Sequence, residues 1–155
     1  MDSRNPRNSR LQRTKLAVAA LFLVAGAAMV TGVAFYNRNH VLATGTFHPV
    51  ARRGTGWVRI ISQGTRQRLQ LIDVRTAGET ESEVRLMATS DALDSMTAES
   101  TASRSVGVLP SGSRSGTFPI EPPVDLRTFR SVMLWSAEDH LNLLTAPLEV
   151  SEQSF

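Results

Sequence analysis

Few residues in this chain could bind a metal or carry out catalysis. Histidine occurs only at His40, His48 and His140, and these positions match no metal-ligand spacing. Only His140 has an adjacent carboxylate, Asp139, in a segment that we predict to be a turn. The chain has no cysteine, which excludes disulfides, thiolate metal sites and cysteine nucleophiles. We therefore predict no metal site.

Serine and glycine are abundant but lack the sequence contexts that make them functional. The chain contains no G-x-S-x-G nucleophile elbow. The glycine-rich residues 112–116 lack the lysine and the following helix of a phosphate-binding loop. Trp57 and Trp135 could stack on a ligand, although tryptophans in strands more often belong to the core. We expect neither an enzyme nor a bound cofactor.

Residues 16–36 form an uncharged stretch of twenty-one residues. As a helix this stretch is about 32 Å long, which matches a hydrocarbon core of about 30 Å. We predict one transmembrane helix in contact with the lipid bilayer. The alternative is a cleaved signal peptide, because Ala25-Gly26-Ala27 fits the A-x-A cleavage pattern. Nine further uncharged, mostly apolar residues follow Ala27 and favour the anchor.

The basic head, residues 1–15, predicts the orientation. Its basic residues are Arg4, Arg7, Arg10, Arg13 and Lys15. A short cluster of this kind is retained in the cytoplasm, so we predict a single-pass protein of the bacterial inner membrane with a periplasmic main domain. Beyond residue 36, twelve arginines are balanced by thirteen acidic residues. Nucleic acid is disfavoured as a partner, because binding it requires a basic patch on the folded domain.

Small residues form a stripe on the predicted helix at Ala25, Ala28 and Gly32. Such a stripe lets another helix approach closely within the membrane. It favours contact with the subunits of a membrane protein complex. The alternative is that alanine and glycine are simply common in membrane helices.

The remainder is predicted to be mainly β. We assign residues 37–44 to a linker, 45–150 to an extracytoplasmic domain and 151–155 to a tail. Apolar and polar residues alternate over residues 56–61, and a turn at 63–65 precedes renewed alternation, which predicts a hairpin. Residues 83–87 predict a third strand. Short strands joined by turns favour an antiparallel β-sandwich or barrel.

The second half of this domain alternates between loops and short apolar runs. Residues 88–105 predict a loop with a short helix behind a Ser90 N-cap, with Leu93 and Met96 one turn apart. Residues 106–109 and 117–120 are short apolar runs around a flexible connection. Residues 132–135 are apolar on both faces, as in a central strand. The predicted core comprises Val58, Ile60, Leu69, Leu71, Val84, Leu86, Phe118, Val132, Leu134 and Leu148.

Five short elements together resemble the DM-thirteen domain, a small extracytoplasmic β module. They are GTF at residues 45–47, VGVL at 106–109, VDL at 124–126 before Phe129, SVMLWS at 131–136 and APL at 146–148. The resemblance covers residues 45–150 and implies proximity to DOMON-type domains and electron-transfer roles. Ser136 stands where this family typically has a cysteine. A hydroxyl has neither the acidity nor the oxidation chemistry of a thiol, so that redox chemistry does not carry over.

Three functions follow as expectations. In the first, the chain is a non-catalytic accessory or structural subunit whose β domain docks on a larger membrane assembly, an electron-transfer complex of respiration or photosynthesis. In the second, the domain binds a redox cofactor and carries electrons itself. In the third, it is an envelope or carbohydrate-binding module. The absence of cysteine and of paired histidines favours the first over the second.

Overall fold

The computed structural model describes residues 39–78 and 80–151. The predicted transmembrane helix, the basic head and the residues Ala25, Ala28 and Gly32 lie outside the described residues. Within residues 39–78 and 80–151, no helix has the length and apolar character needed to span a membrane. The elements, in chain order, are β1 (His40–Thr46), β2 (His48–Pro49), β3 (Gly54–Gln63), β4 (Arg66–Thr76), β5 (Ser82–Met87), α1 (Ser95–Ser100), β6 (Ser103–Leu109), β7 (Gly116–Ile120), β8 (Ser131–Ser136), β9 (Leu141–Pro147) and β10 (Glu149–Val150).

The strands form two antiparallel sheets of five, an arrangement consistent with a β-sandwich. The first sheet has the order β10-β1-β3-β4-β7 and the second β2-β9-β8-β5-β6. The predicted hairpin is confirmed: β3 pairs with β4 in a register that includes Val58↔Leu71 and Ile60↔Leu69. The predicted third strand is also confirmed and is β5. The described part of the chain is therefore mainly β, as its period-two patterns predict.

The main core contains residues from both sheets. All members of the predicted core are buried except Phe118 and Leu148, which are partly buried and pack against it. A Cβ at Gly107 would overlap the ring of Phe118, so the ring covers the bare backbone of β6. This position beside an edge strand explains why Phe118 is not completely enclosed.

β8 is a central strand with apolar contacts on both faces. Val132 and Leu134 enter the main core, whereas Met133 and Trp135 join a second cluster that includes Ala98 of α1. The segment around α1 therefore covers the outer face of the second sheet. This extra layer explains why residues 132–135 show no alternation.

The helix predicted between residues 88 and 105 is present, but its N-cap is Asp94 and the assignment to Ser90 is wrong. Asp94 Oδ1 accepts a hydrogen bond from the Thr97 backbone N–H at 2.9 Å, and Oδ2 accepts one from the Thr97 hydroxyl at 3.0 Å. Hydrogen bonds from the Thr97 backbone and side chain lower the pKa of Asp94. The helix is thus one turn later than predicted, which leaves Met96 85% exposed while Leu93 packs on the second cluster.

A buried asparagine fastens this covering segment to the second sheet. Asn142 Nδ2 donates to the Leu93 carbonyl at 2.8 Å, and the Asn142 backbone N–H donates to Ser95 Oγ at 2.9 Å. Nδ2 also donates to Thr145 Oγ1 at 3.0 Å. The buried amide is therefore satisfied by several partners, as a polar group in the core must be.

The segment assigned to a linker, residues 37–44, contributes most of β1 instead. β1 pairs with β3 from His40 onward and with β10 at Ala43 and Thr44. The register shifts between Val41 and Ala43, which interrupts the alternation that would have marked a strand. The Ser151 backbone N–H also donates to the Leu42 carbonyl at 2.8 Å, so the residue after β10 is still bonded to β1.

Candidate functional site

Trp57 lies on the outer face of the first sheet. It is on β3, opposite Thr46 of β1 and Ile72 of β4. Its neighbours Gly56 and Val58 belong to the other face, where Val58 is buried in the core. Trp57 is 54% exposed, so the expectation that it belongs to the core is wrong, whereas Trp135 is buried as expected. An exposed indole in the middle strand of a sheet is the first candidate feature for binding.

Arginines lie beside Trp57 on the same face. Arg59 is two residues along β3, and its Nε donates to Gln70 Oε1 of β4 at 2.6 Å. Arg68 is two residues from Gln70 along β4 and is also exposed, while the intervening Leu69 is buried. Because alternate residues of a strand share a face, Trp57, Arg59 and Arg68 form one surface, which we call the Trp57 face.

A hollow of about 550 Å³ lies at one end of the Trp57 face. Its lining includes Trp57, Arg59, His48 and Ile72, with Glu149 at the sheet edge. The exposed apolar surface comes from the indole and Ile72, and Arg59 and Glu149 supply one charge of each sign. Arg68 adds a second positive charge elsewhere on the Trp57 face. The face suits a partner with apolar and acidic groups.

Ser136, where the DM-thirteen resemblance implies a cysteine, is completely buried at the end of β8. Its hydroxyl donates to Asp139 Oδ2 at 3.2 Å and accepts from the Asp139 backbone N–H at 3.2 Å. Asp139 Oδ2 also lies 2.7 Å from Arg52 Nη2. Arg52 Nη1 in turn donates to Thr80 Oγ1 at 3.1 Å. This network connects the turn after β8 to the loops before β3 and β5. The Ser136 hydroxyl therefore has a structural role.

Trp135, next to Ser136, is covered by a charged side chain. The guanidinium of Arg85 lies 4.9 Å from the centre of its ring, a cation–π distance. Arg85 also pairs with Glu83, with 2.8 Å between Nε and Oε2. Partial burial raises the pKa of Glu83, but hydrogen bonds from Arg85 and Ser105 and the positive charge of Arg85 together lower it by more, so the pKa lies below its ordinary value. Glu83 is therefore ionised at neutral pH and suited to holding Arg85 over the indole, not to donating a proton.

The three histidines lie on separate elements. His40 is on β1 and His48 on β2, both exposed. His140 lies in the turn between β8 and β9 with a φ of 53°, and its Nδ1 is 3.6 Å from Glu99 Oε1. Within residues 39–78 and 80–151, no group of three or more His, Asp or Glu side chains is placed to hold a metal ion.

The sequence pointed to Ser136 and both tryptophans, but it did not predict the residues that contact them, such as Asp139 beside Ser136 and Arg85 beside Trp135. Arg52 and Asp139 are separated by 87 positions in the chain, and no local pattern connects them. The exposure of Trp57 had a visible signal, because Trp57 shares its strand face with Arg59.

No family model, curated protein or solved structure matches this chain. The likeness to the DM-thirteen domain therefore stays a prediction from the five sequence elements.

Proposed function

We propose that this protein is a membrane-anchored, non-catalytic accessory subunit whose periplasmic β domain docks on a larger membrane assembly. The uncharged span and the basic head of the sequence support the anchor and its orientation in a bacterial inner membrane. The docking role is supported chiefly by the exposure of Trp57, whose side chain is more than half exposed on the middle strand of its sheet.

The chemistry of the Trp57 face defines the partner surface. Tryptophan and arginine are the side chains most enriched among the few residues that dominate binding at protein interfaces. Burying the indole and Ile72 would remove apolar area from water, and Arg59 and Arg68 favour carboxylates opposite them. The complementary surface is an apolar depression bordered by acidic residues, on a protein that shares the membrane.

The anchor makes a modest contact sufficient. Confinement to one membrane raises the effective concentration of a neighbouring subunit, so that a weak contact of the β domain becomes a stable attachment at two points. The small-residue stripe at Ala25, Ala28 and Gly32 is the proposed second point. An electron-transfer complex is the proposed assembly, because the DM-thirteen resemblance implies that setting.

The test is extraction of the full chain in a gentle detergent, followed by size separation and identification of co-migrating proteins. We expect the wild-type chain to migrate with an assembly and Trp57→Ala to migrate largely free, because loss of an interface hot spot weakens binding about 30-fold or more. Met96→Ala is the matched control, since Met96 is 85% exposed on α1. Co-migration of Trp57→Ala at the wild-type level would contradict the docking face.

An envelope glycan is the second candidate occupant, and the same exposed Trp57 favours it. The face of an indole also stacks on the apolar face of a sugar ring. Wild-type protein sedimenting with insoluble cell-wall polysaccharide, Trp57→Ala remaining in solution and no protein co-migrating would replace the docking proposal with this one. A visible absorption band in the purified full chain would instead favour an electron carrier.

A further inference from the structure

A second concave surface lies apart from the Trp57 face and shares no lining residue with its hollow. This groove, of about 590 Å³, lies between β1, the chain connecting β7 to β8, and the segment from β9 to β10. The volume is within the range of small-molecule sites in proteins. We call it the Leu126 groove.

The floor of the Leu126 groove is aliphatic. Leu42, Leu126 and Leu148 line it and also pack against the main core, while Val150 lines it from β10. With Val124, the described lining has five branched aliphatic side chains and no aromatic ring, which suits a flexible hydrocarbon chain better than a flat ring system. The floor can remove an alkyl chain from water without moving the core residues beneath it.

The wall of the groove is held by hydrogen bonds of its own. Gln67 Oε1 accepts from the Val124 backbone N–H at 2.8 Å, and Gln67 Nε2 donates to the Val124 carbonyl at 3.1 Å. Asp125 Oδ1 accepts from the Arg127 backbone N–H at 2.9 Å. The connecting segment is therefore fixed to β4 and folded into a tight turn, which makes the groove preformed.

Two arginines line the groove beside this aliphatic floor. The backbone of Arg130 is held at both ends, because its N–H donates to the Met87 carbonyl and its carbonyl accepts from the Leu148 N–H, each at 2.8 Å. Arg127 precedes it by three residues. Among the salt bridges within residues 39–78 and 80–151, none involves Arg130. Among the described residues that line the groove, Asp125 is the one acidic residue.

We propose that the Leu126 groove binds a long-chain carboxylate, with its alkyl chain on the aliphatic floor and its acid group at Arg130 and Arg127. A guanidinium binds a carboxylate through two parallel hydrogen bonds, which fixes the orientation of the chain. The single negative charge of the ligand matches the excess of one positive charge among the lining side chains. A zwitterionic lipid headgroup would add a cation beside two arginines.

The test uses the full chain in its membrane and a photoreactive, diazirine-bearing fatty acid, with the labelled residues identified by mass spectrometry. We expect labelling at Leu42, Leu126 or Leu148 that unlabelled palmitate displaces. Each further methylene that reaches the floor should tighten displacement by about fourfold, until the groove is filled. A fatty alcohol of the same length should displace the probe about tenfold less well, because it lacks the charge.

Two variants probe the charge and the space separately. Arg130→Glu should reduce labelling about tenfold or more, whereas Arg114→Glu, an exposed arginine on another part of the surface, should leave it unchanged. Val150→Trp fills the groove from the edge strand, where Val150 is 38% exposed, and should block labelling without altering the core. Equal labelling of Arg130→Glu and wild type, labelling at other residues, or stronger displacement by a lysophospholipid would each overturn the proposal. Because the Trp57 face is not involved, Trp57→Ala should label as the wild type does, so this outcome is independent of the docking test.

Discussion

At the scale of residues, the Ser136 hydroxyl is a structural link between β8 and the turn that follows. It both donates to and accepts from Asp139, whose carboxylate also binds Arg52. We predict that Ser136→Ala lowers the free energy of unfolding by about 1–3 kcal/mol, because it leaves the Asp139 N–H without its acceptor. Chemical denaturation measures this change. Loss of an electron-transfer activity with unchanged stability would contradict a purely structural role.

The ion pair above Trp135 predicts a dependence of stability on pH. The pKa of Glu83 is below its ordinary value of 4.5 in the folded chain. The stabilisation from this carboxylate is therefore complete above that value and is lost as the pH falls through the folded-state pKa. Wild-type stability should thus fall more steeply than that of Glu83→Gln as the pH falls below the ordinary pKa, as measured by unfolding at each pH. Parallel curves for the two proteins would show that the pair contributes nothing.

At the scale of elements, β8 is the strand on which both apolar clusters depend. Leu134 is completely buried in the main core and Trp135 is buried in the second cluster. We predict that Leu134→Ala costs about 2–5 kcal/mol and Trp135→Ala about 3–5 kcal/mol, because each leaves a cavity. Val108→Ala is the control at a 47% exposed strand position and should change stability by less than about 0.5 kcal/mol. Near-neutral effects at both β8 positions would mean that the strand is not central.

The elements that sequence reasoning found are those whose own residues carry a complete pattern. β3, β4 and β5 alternate with period two, and β8 is apolar throughout, so each could be assigned without knowledge of its neighbours. β1 was missed because its register shifts after Val41 and its sequence is rich in small residues. It is a strand because β3 and β10 pair with it on either side, which is information outside its own sequence.

The same distinction applies to the candidate sites. The exposure of Trp57 follows from one strand and its neighbours in sequence, so alternation could indicate it. The Leu126 groove brings together residues from β1, the β7–β8 connection, and Leu148 and Val150 after β9, which only the tertiary fold places side by side. The contact between Asp139 and Arg52 likewise joins residues that are 87 positions apart in the sequence. Long-range polar contacts leave no periodic signal in a single sequence.

At the scale of the whole molecule, the basic charge is concentrated in the head, residues 1–15, and the remainder of the chain is nearly neutral. The basic residues before the predicted span outnumber the acidic ones by four, whereas the remainder has one more acidic residue than basic residues. The positive charge of residues 1–15 favours their retention in the cytoplasm. The nearly neutral segment after residue 36 does not oppose export. The β domain can dock on a periplasmic surface only in this orientation, which an experiment on topology tests directly.

We predict that protease added to spheroplasts degrades the β domain and spares the basic head. The exposed turn between β3 and β4, with Gly64 and Thr65 before Arg66, offers a site for trypsin, and Arg53 offers another in an exposed loop. Inverted membrane vesicles provide the matched control, because there the head should be cleaved and the β domain protected. An antibody tag at each end of the chain follows the two parts separately. Protection of the β domain in spheroplasts, combined with its digestion in inverted vesicles, would place the Trp57 face in the cytoplasm and exclude docking on a periplasmic surface.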